Sequence, residues 1–242
     1  MSQRFERQSL LIGKAATQDL ANKKVAVFGV GGVGSYAAEA VARCGVGTVE
    51  LIDGDTVSVS NVNRQLCALE STVGLPKVDV MAQRIMDINP SVTVIPRKFF
   101  LLPDNADLID FSSYDFVIDA IDTVSAKIEI AVRCNTVGIP MISCMGTGNK
   151  LDPTALRVED LSRTSGCPLA RVMRRELKKR GIVHLPVVYS EEAPISPEAP
   201  IFSENGKPIP GSIAFVPSVA GLIAASEAIK QLISNSESEV KK

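Results

Sequence analysis

Tryptophan is absent from the 242 residues, histidine occurs once and aromatic residues make up only 5% of the chain. The single histidine, His184, has no partner constellation in the sequence and is given no role. Also missing is any C-x-x-C pair. The five cysteines, at 44, 67, 134, 144 and 167, are odd in number and scattered, so neither a disulfide framework nor a zinc site is suggested, and a reduced, cytoplasmic setting is expected. Met1 to Gln8 lacks the apolar run and small-residue cleavage site of a secretory signal. A formal net charge of −1 argues against a protein held to nucleic acid by overall charge and leaves only local basic patches for that task. The most apolar stretch, Ile213 to Ile233, is interrupted by Pro217, Glu227 and Lys230, and reads as a buried core helix rather than a membrane span.

What is present is an alternation of short apolar runs with helical patterns. Lys24-VAVFG, Thr48-VELID, Val92-TVIP, Asp115-FVIDAID and Pro140-MISC read as strands. Between them Gly31 to Cys44, Pro76 to Ile88 and Ser125 to Asn135 read as helices. This order predicts an α/β fold, a doubly wound and mostly parallel Rossmann-like sheet with ligands at the carboxyl ends of its strands. One domain is expected over 1–234, with a nucleotide-binding half to about residue 145, a substrate half from 146, and a disordered tail over 235–242. Pro194 to Pro210 is expected to be irregular, as a mobile loop over a site or a crossover.

Gly29-VGGVG lies between the first strand and the first of these helices, where glycines let a backbone approach a phosphate and a helix N-terminus offers unpaired N–H groups. Gly29, Gly31, Gly32 and Gly34 are therefore candidate nucleotide contacts, and Asp53, at the end of the second strand, is placed to hold a ribose. The loop alone does not distinguish ATP from NAD or FAD.

The next segment does. Asp53-GDTVSVSNVNRQL, followed by Leu75-PKVD, resembles the signature of the ubiquitin-activating, ThiF and MoeB superfamily of adenylating enzymes. The resemblance implies ATP as the nucleotide, with Asp53 and Asp55 near it and Asn61, Arg64 and Lys77 around the triphosphate. Adenylation piles negative charge on the α-phosphate and pyrophosphate, so fixed cations and amide donors suit it. In Asp119-AIDTVSAK the family pattern puts the Mg2+-binding carboxylate at Asp122, with Asp119 counted as a strand-end acceptor of the nucleotide site. The neighbour here is Thr123, where the family usually has Asn. Arg4-FERQ resembles a segment whose second arginine, Arg7, reaches the ATP of a partner subunit, which implies a homodimer with shared sites.

Within the superfamily, carrier-activating relatives usually hold a structural zinc with two C-x-x-C pairs, which this chain lacks. Cys144-MGTGNKLDPTALRVEDLSRT, Pro168-LARVMRRELKKRGI and Val187-VYSEEAP instead resemble the tRNA threonylcarbamoyladenosine dehydratase family, although Cys167 stands where an acidic residue is expected. The implied reaction is ATP-dependent cyclisation of threonylcarbamoyladenosine at position 37 of tRNA through an acyl-adenylate, with no covalent enzyme intermediate. Activation of a ubiquitin-like sulfur carrier's C-terminus is the alternative. The helix over 168–180 puts Leu169, Val172, Met173 and Leu177 on one face and Arg171, Arg174, Arg175, Lys178 and Lys179 on the rest, a candidate grip for tRNA phosphates or else a solvated, salt-bridged face. The cysteines are either small buried hydrophobes or part of a thiol relay from a sulfur-transfer partner. A monovalent cation, Na+ or K+, is left open beside Mg2+.

Overall fold

The structure is a computed structural model that describes residues 3–203, 206 and 208–239, the last five as backbone. Two short helices, α1 (Glu6–Ile12) and α2 (Lys14–Asp19), precede β1 (Lys24–Phe28), α3 (Gly34–Arg43), β2 (Thr48–Ile52), α4 (Lys77–Ile88) and β3 (Thr93–Arg97). Then follow β4 (Phe116–Asp119), α5 (Val124–Val137), β5 (Met141–Cys144), β6 (Leu156–Asp160), α6 (Pro168–Lys178), β7 (Pro186–Ser190) and α7 (Phe215–Glu239). One seven-stranded sheet runs in the order β3-β2-β1-β4-β5-β7-β6. Every pairing is parallel except that of β6 with β7. The expected doubly wound sheet is borne out, and the second half of the chain extends it by the two strands β6 and β7.

Strand alternation explains the layers. On β1, Val25 and Val27 point into a core shared with α3, α4 and α7, while Ala26 and Phe28 point into one shared with α5 and α6. Because parallel strands are covered on both faces, they read as nearly continuous apolar runs. Glu50 of β2 breaks that rule. Fully buried, its carboxylate is paired with Lys24 on β1 and Arg97 on β3, which supply the positive charge that water would otherwise screen.

The stretch expected to be a core helix is α7. It is long and apolar enough to cross a bilayer, yet Ala220, Ala224, Ala225, Ala228 and Leu232 belong to the core that also takes Val25 and Val27 of β1, which accounts for its hydropathy. It continues through Glu239, where a disordered tail from residue 235 was expected; residues 240–242 of that tail lie outside the described residues. The proline-rich segment is gathered at its base: Asn149 donates its amide to Gly211 O and accepts from Ile195 N (2.8 and 2.7 Å). Residues 204, 205 and 207 of the segment lie outside the described residues.

Strand order reverses between β1 and β4, which opens a crevice at their carboxyl ends. Two glycines let the backbones close up there. Gly29 has φ +84°, and a Cβ on it would stand 2.7 Å from Ala120 O; a Cβ on Gly34 would stand 1.7 Å from Gly29 O. Gly146, at the far side of the crevice, has open space around its Cβ position. Gly34→Ala should therefore lower unfolding free energy by about 3 kcal/mol or more in urea titrations, whereas Gly146→Ala should stay within about 0.5 kcal/mol of the parent.

Candidate active site

The crevice encloses about 420 Å³ and is lined from both halves of the chain, by the glycine turn, Asp53 to Asp55, Phe99 to Leu102, Ile121 to Thr123, Cys144 to Thr147, Ser212 and Pro217. Unlike Gly29 and Gly34, Gly31 faces free space, with only the Gln65 amide 3.7 Å from where a Cβ would be. The amides of Gly31 and Gly32 have no acceptor among the described residues, and no side chain caps α3. A helix N-terminus with free amides at a concave surface suits an anion.

Asp53 pins the two loops that form one wall. Its Oδ2 accepts from Val30 N (2.7 Å) and its Oδ1 from Asp55 N (2.8 Å), leaving a second lone pair on each oxygen for a ligand hydroxyl. Asp55 is paired with the Lys77 ammonium at 2.8 Å, and Lys77 is itself buried at the start of α4. A cation at a helix N-terminus opposes the helix dipole, so this partner carboxylate is what settles Lys77 there. Asn61 is buried, and its Oδ1 accepts from Ser58 N (3.0 Å), closing the 3-10 turn that presents the following residues. Arg64 Nη1 donates to Ser60 O (2.8 Å) and Asn63 Oδ1 (3.0 Å), holding the guanidinium at the crevice.

The aspartate that ends β4 and the one three residues beyond it have opposite environments. Asp119 is sealed and does not line the crevice: its Oδ2 is 2.9 Å from Lys127 Nζ and accepts from Ser143 Oγ (2.6 Å), and its Oδ1 accepts from Ile121 N (3.2 Å). Asp119 is thus held by protein partners beneath the crevice, at the strand end where it was expected to act as an acceptor. Asp122 is exposed on the crevice wall, with only the Thr123 hydroxyl at 3.5 Å. No group of three or more His, Cys, Asp or Glu gathers among the described residues, so a metal here would need ligand oxygens to complete its shell.

Arg7 is exposed on α1 and does not line its own chain's crevice. On α6, Arg174 Nη1 is engaged by the fold, donating to Leu161 O (3.1 Å), Thr164 O (2.6 Å) and Thr164 Oγ1 (3.0 Å). Arg175 and Lys179 both pair with Glu176, as does Arg180, and these cations hold the Glu176 carboxyl down to about 2. Arg171 and Lys178 are exposed with no partner among the described residues. Leu169 in the first turn of α6 lines the crevice, so the basic helix starts at its mouth.

Sequence reasoning missed Gln65, although it was quoted within the signature, and missed Phe99 to Leu102 altogether. The Phe100 ring lies on Gly54, where a Cβ would come within 2.4 Å of it. The available signal was position: these residues follow β3, whose carboxyl end lies beside that of β2. Burial pushes the Cys67 thiol up to about 11 and the Cys134 and Cys144 thiols up to about 12, and Cys167 caps α6 by accepting from Ala170 N at 3.5 Å. Cys67, Cys134 and Cys144 are therefore small buried groups with little thiolate character, while Cys44 is half-buried.

The ThiF family profile matches residues 5–242. The chain is 46% identical to tRNA threonylcarbamoyladenosine dehydratase of Bacillus subtilis, over 98% of this chain and 97% of that protein. With the enzyme of the same description from Escherichia coli it shares 38% identity, over 96% of this chain and 94% of that one. The crystal structure of the E. coli tRNA N6-threonylcarbamoyladenosine dehydratase in complex with ATP superposes with a TM-score of 0.88 at 38% identity, covering 97% of this chain and 96% of the other. The chain belongs to the ThiF family, in its tRNA threonylcarbamoyladenosine dehydratase branch.

Proposed function

We propose that the chain uses ATP to cyclise threonylcarbamoyladenosine at position 37 of tRNA, and that the crevice at the β1–β4 reversal is where it does so. The observation that carries this reading is the convergence of free glycine amides, Lys77, Arg64 and Asp122 on one cavity in a chain that matches dehydratases over nearly its whole length. A carboxylate oxygen of the substrate attacks the α-phosphorus of ATP, and the bond to pyrophosphate breaks. The carbamoyl oxygen then attacks the activated carbonyl carbon, AMP leaves with the former carboxylate oxygen, and the carbamoyl nitrogen loses a proton. The sum is loss of one water from the nucleoside. The Gly31 and Gly32 amides, Arg64 and Lys77 meet the charge that builds on the phosphates, and the free lone pairs of Asp53 accept from the ribose hydroxyls. Asn61 acts through the turn that carries Arg64.

The exposed carboxylate of Asp122, which has no protein cation on it, fits Mg2+, which is held by one or two carboxylates together with phosphate oxygens. When bound it would neutralise phosphate charge. The donor arrangement assigns no monovalent-cation site. Arg7, with Leu10 and Leu11 beside it 86% and 88% exposed, fits an arm that docks on a second copy and completes its crevice. Of the basic helix, Arg171 and Lys178 are free to meet RNA phosphates, while Arg175 and Lys179 are shared with Glu176. Burial of four of the five cysteines gives a thiol relay from a sulfur-transfer partner no support.

Incubation with ATP, Mg2+ and tRNA bearing the modification should remove one water from the nucleoside, read by mass spectrometry, with AMP and pyrophosphate released in equal amounts. An unchanged nucleoside, with adenylate exchange stimulated instead by a ubiquitin-like carrier, would move the activity to the carrier-activating class. Lys77→Ala and Asp122→Ala should each slow turnover by about a hundredfold or more without lowering the melting temperature. Arg171→Ala with Lys178→Ala should raise KM for tRNA and flatten its salt dependence while leaving KM for ATP unchanged, and Arg174→Ala should act on stability. Cys144→Ala should keep turnover within about threefold, since a thiol this far protonated supplies no nucleophile.

A further inference from the structure

The reaction as derived leaves the most deeply buried ion pair beneath the crevice without a task. Lys127, on the second turn of α5, and Asp119, at the end of β4, are both fully buried, with Nζ and Oδ2 2.9 Å apart. The ammonium also donates to Ile121 O (3.1 Å) and Cys144 O (2.8 Å), so each of its three protons has an acceptor. Asp119 in turn accepts from Ile121 N (3.2 Å) and Ser143 Oγ (2.6 Å). Ile121 is thereby gripped at both ends of its peptide unit, its N–H by Asp119 and its carbonyl by Lys127, one residue before Asp122. On β5 the Ser143 hydroxyl is held by Asp119 and the Cys144 carbonyl by Lys127, directly before Met145, Gly146 and Thr147 on the facing wall.

We propose that Lys127 is a positioning residue for the adenylation step: with Asp119 and Ser143 it cross-braces the loops that leave β4 and β5, and so fixes where Asp122 enters the crevice. An apolar pair of similar volume would fill the space and is often as stable as a buried ion pair. It would not draw the carbonyls of Ile121, in the loop after β4, and Cys144, at the end of β5, to one point. The brace acts on the wall that carries Asp122, and none of its side-chain hydrogen bonds goes to the glycine turn or to Asp53, so it bears more on the rate of chemistry than on nucleotide affinity. A misplacement of about 1 Å in a reacting constellation costs up to about a hundredfold in rate.

The inference rests on Asp122 acting at the nucleotide, and a double-mutant cycle in rate tests both. In single-turnover AMP formation by the full-length chain with modified tRNA, Lys127→Met should slow the reaction by about a hundredfold while the Kd for ATP, measured without Mg2+, stays within about threefold. In an Asp122→Asn background the same substitution should slow it by less than about twofold further, because a brace has nothing left to position. Should Lys127→Met fail to fold, the neutral pair Asp119→Asn with Lys127→Met, and Ser143→Ala, which removes one strut, carry the test; Ser143→Ala should cost about fivefold with an unchanged melting temperature, and that loss should vanish beside Asp122→Asn. Equal losses in both backgrounds, or an ATP affinity that falls by the same factor as the rate, would make the pair merely structural. A full rate for Asp122→Asn alone would instead remove the role of Asp122, and the positioning role with it.

Discussion

Everything at the crevice depends on how closely the chain can pass itself where the sheet reverses. β1 and β4 are neighbours with parallel carboxyl ends, and the turns that leave them must part to opposite sides within two or three residues. The Gly29 backbone lies so close to Ala120 that no side chain fits between, and Gly34 is closer still to Gly29. That contact sets the amide-lined anion site of α3 beside the loop that carries Asp122. It also explains why the glycines of one short motif do different work: two make room for backbone, and Gly31 leaves room for a ligand.

Around this contact the charged groups fall into two kinds, separated by depth. Asp119 with Lys127 and Glu50 with Lys24 and Arg97 are closed systems, in which buried carboxylates meet cations and donors at fixed positions. Such groups bear on where backbone goes, since burying a charge demands that its partners stay in place. Lys77 is intermediate. Its ammonium is buried, but the Asp55 it pairs with is half exposed, so the pair can be shared with an incoming phosphate at little desolvation cost. Asp122 and Arg64 stand at the open end, where no protein cation or carboxylate opposes them. The crevice therefore presents cations held in place by the fold and one carboxylate, Asp122, without a protein cation.

Much of this was legible in the sequence because its periodicities are those of the fold. Five strands and their helices are marked by apolar runs, and the glycine motif marks the carboxyl end of β1 as a nucleotide site before any strand order is known. What stayed hidden has a common cause. The division of labour between Asp119 and Asp122 turns on Lys127 and Ser143, which approach from a helix and a neighbouring strand, and no spacing along one segment reports a contact made by three. Gln65 and Phe100 enter through loop geometry. β6 alternates too weakly to announce itself, because only Leu156 is fully buried on it and its partner β7 lies beyond an intervening helix.

The basic helix shows the same limit in its sharpest form. Five cations at 171, 174, 175, 178 and 179 read alike in a sequence, and their sum suggests one continuous phosphate-binding face. Folding divides them. Arg174 satisfies the carbonyls of the turn before α6, as the flat, multi-donor guanidinium is suited to do. Arg175 and Lys179 are held against Glu176, one carboxylate within a basic run, and Arg180 joins them. Only Arg171 and Lys178 keep undivided charge toward solvent, two turns apart on a helix whose first turn touches the crevice. The free positive charge of the helix is therefore smaller than its composition suggests: Arg171 near its crevice end and Lys178 at its far end are the two cations of this set that a polyanion would meet unshared.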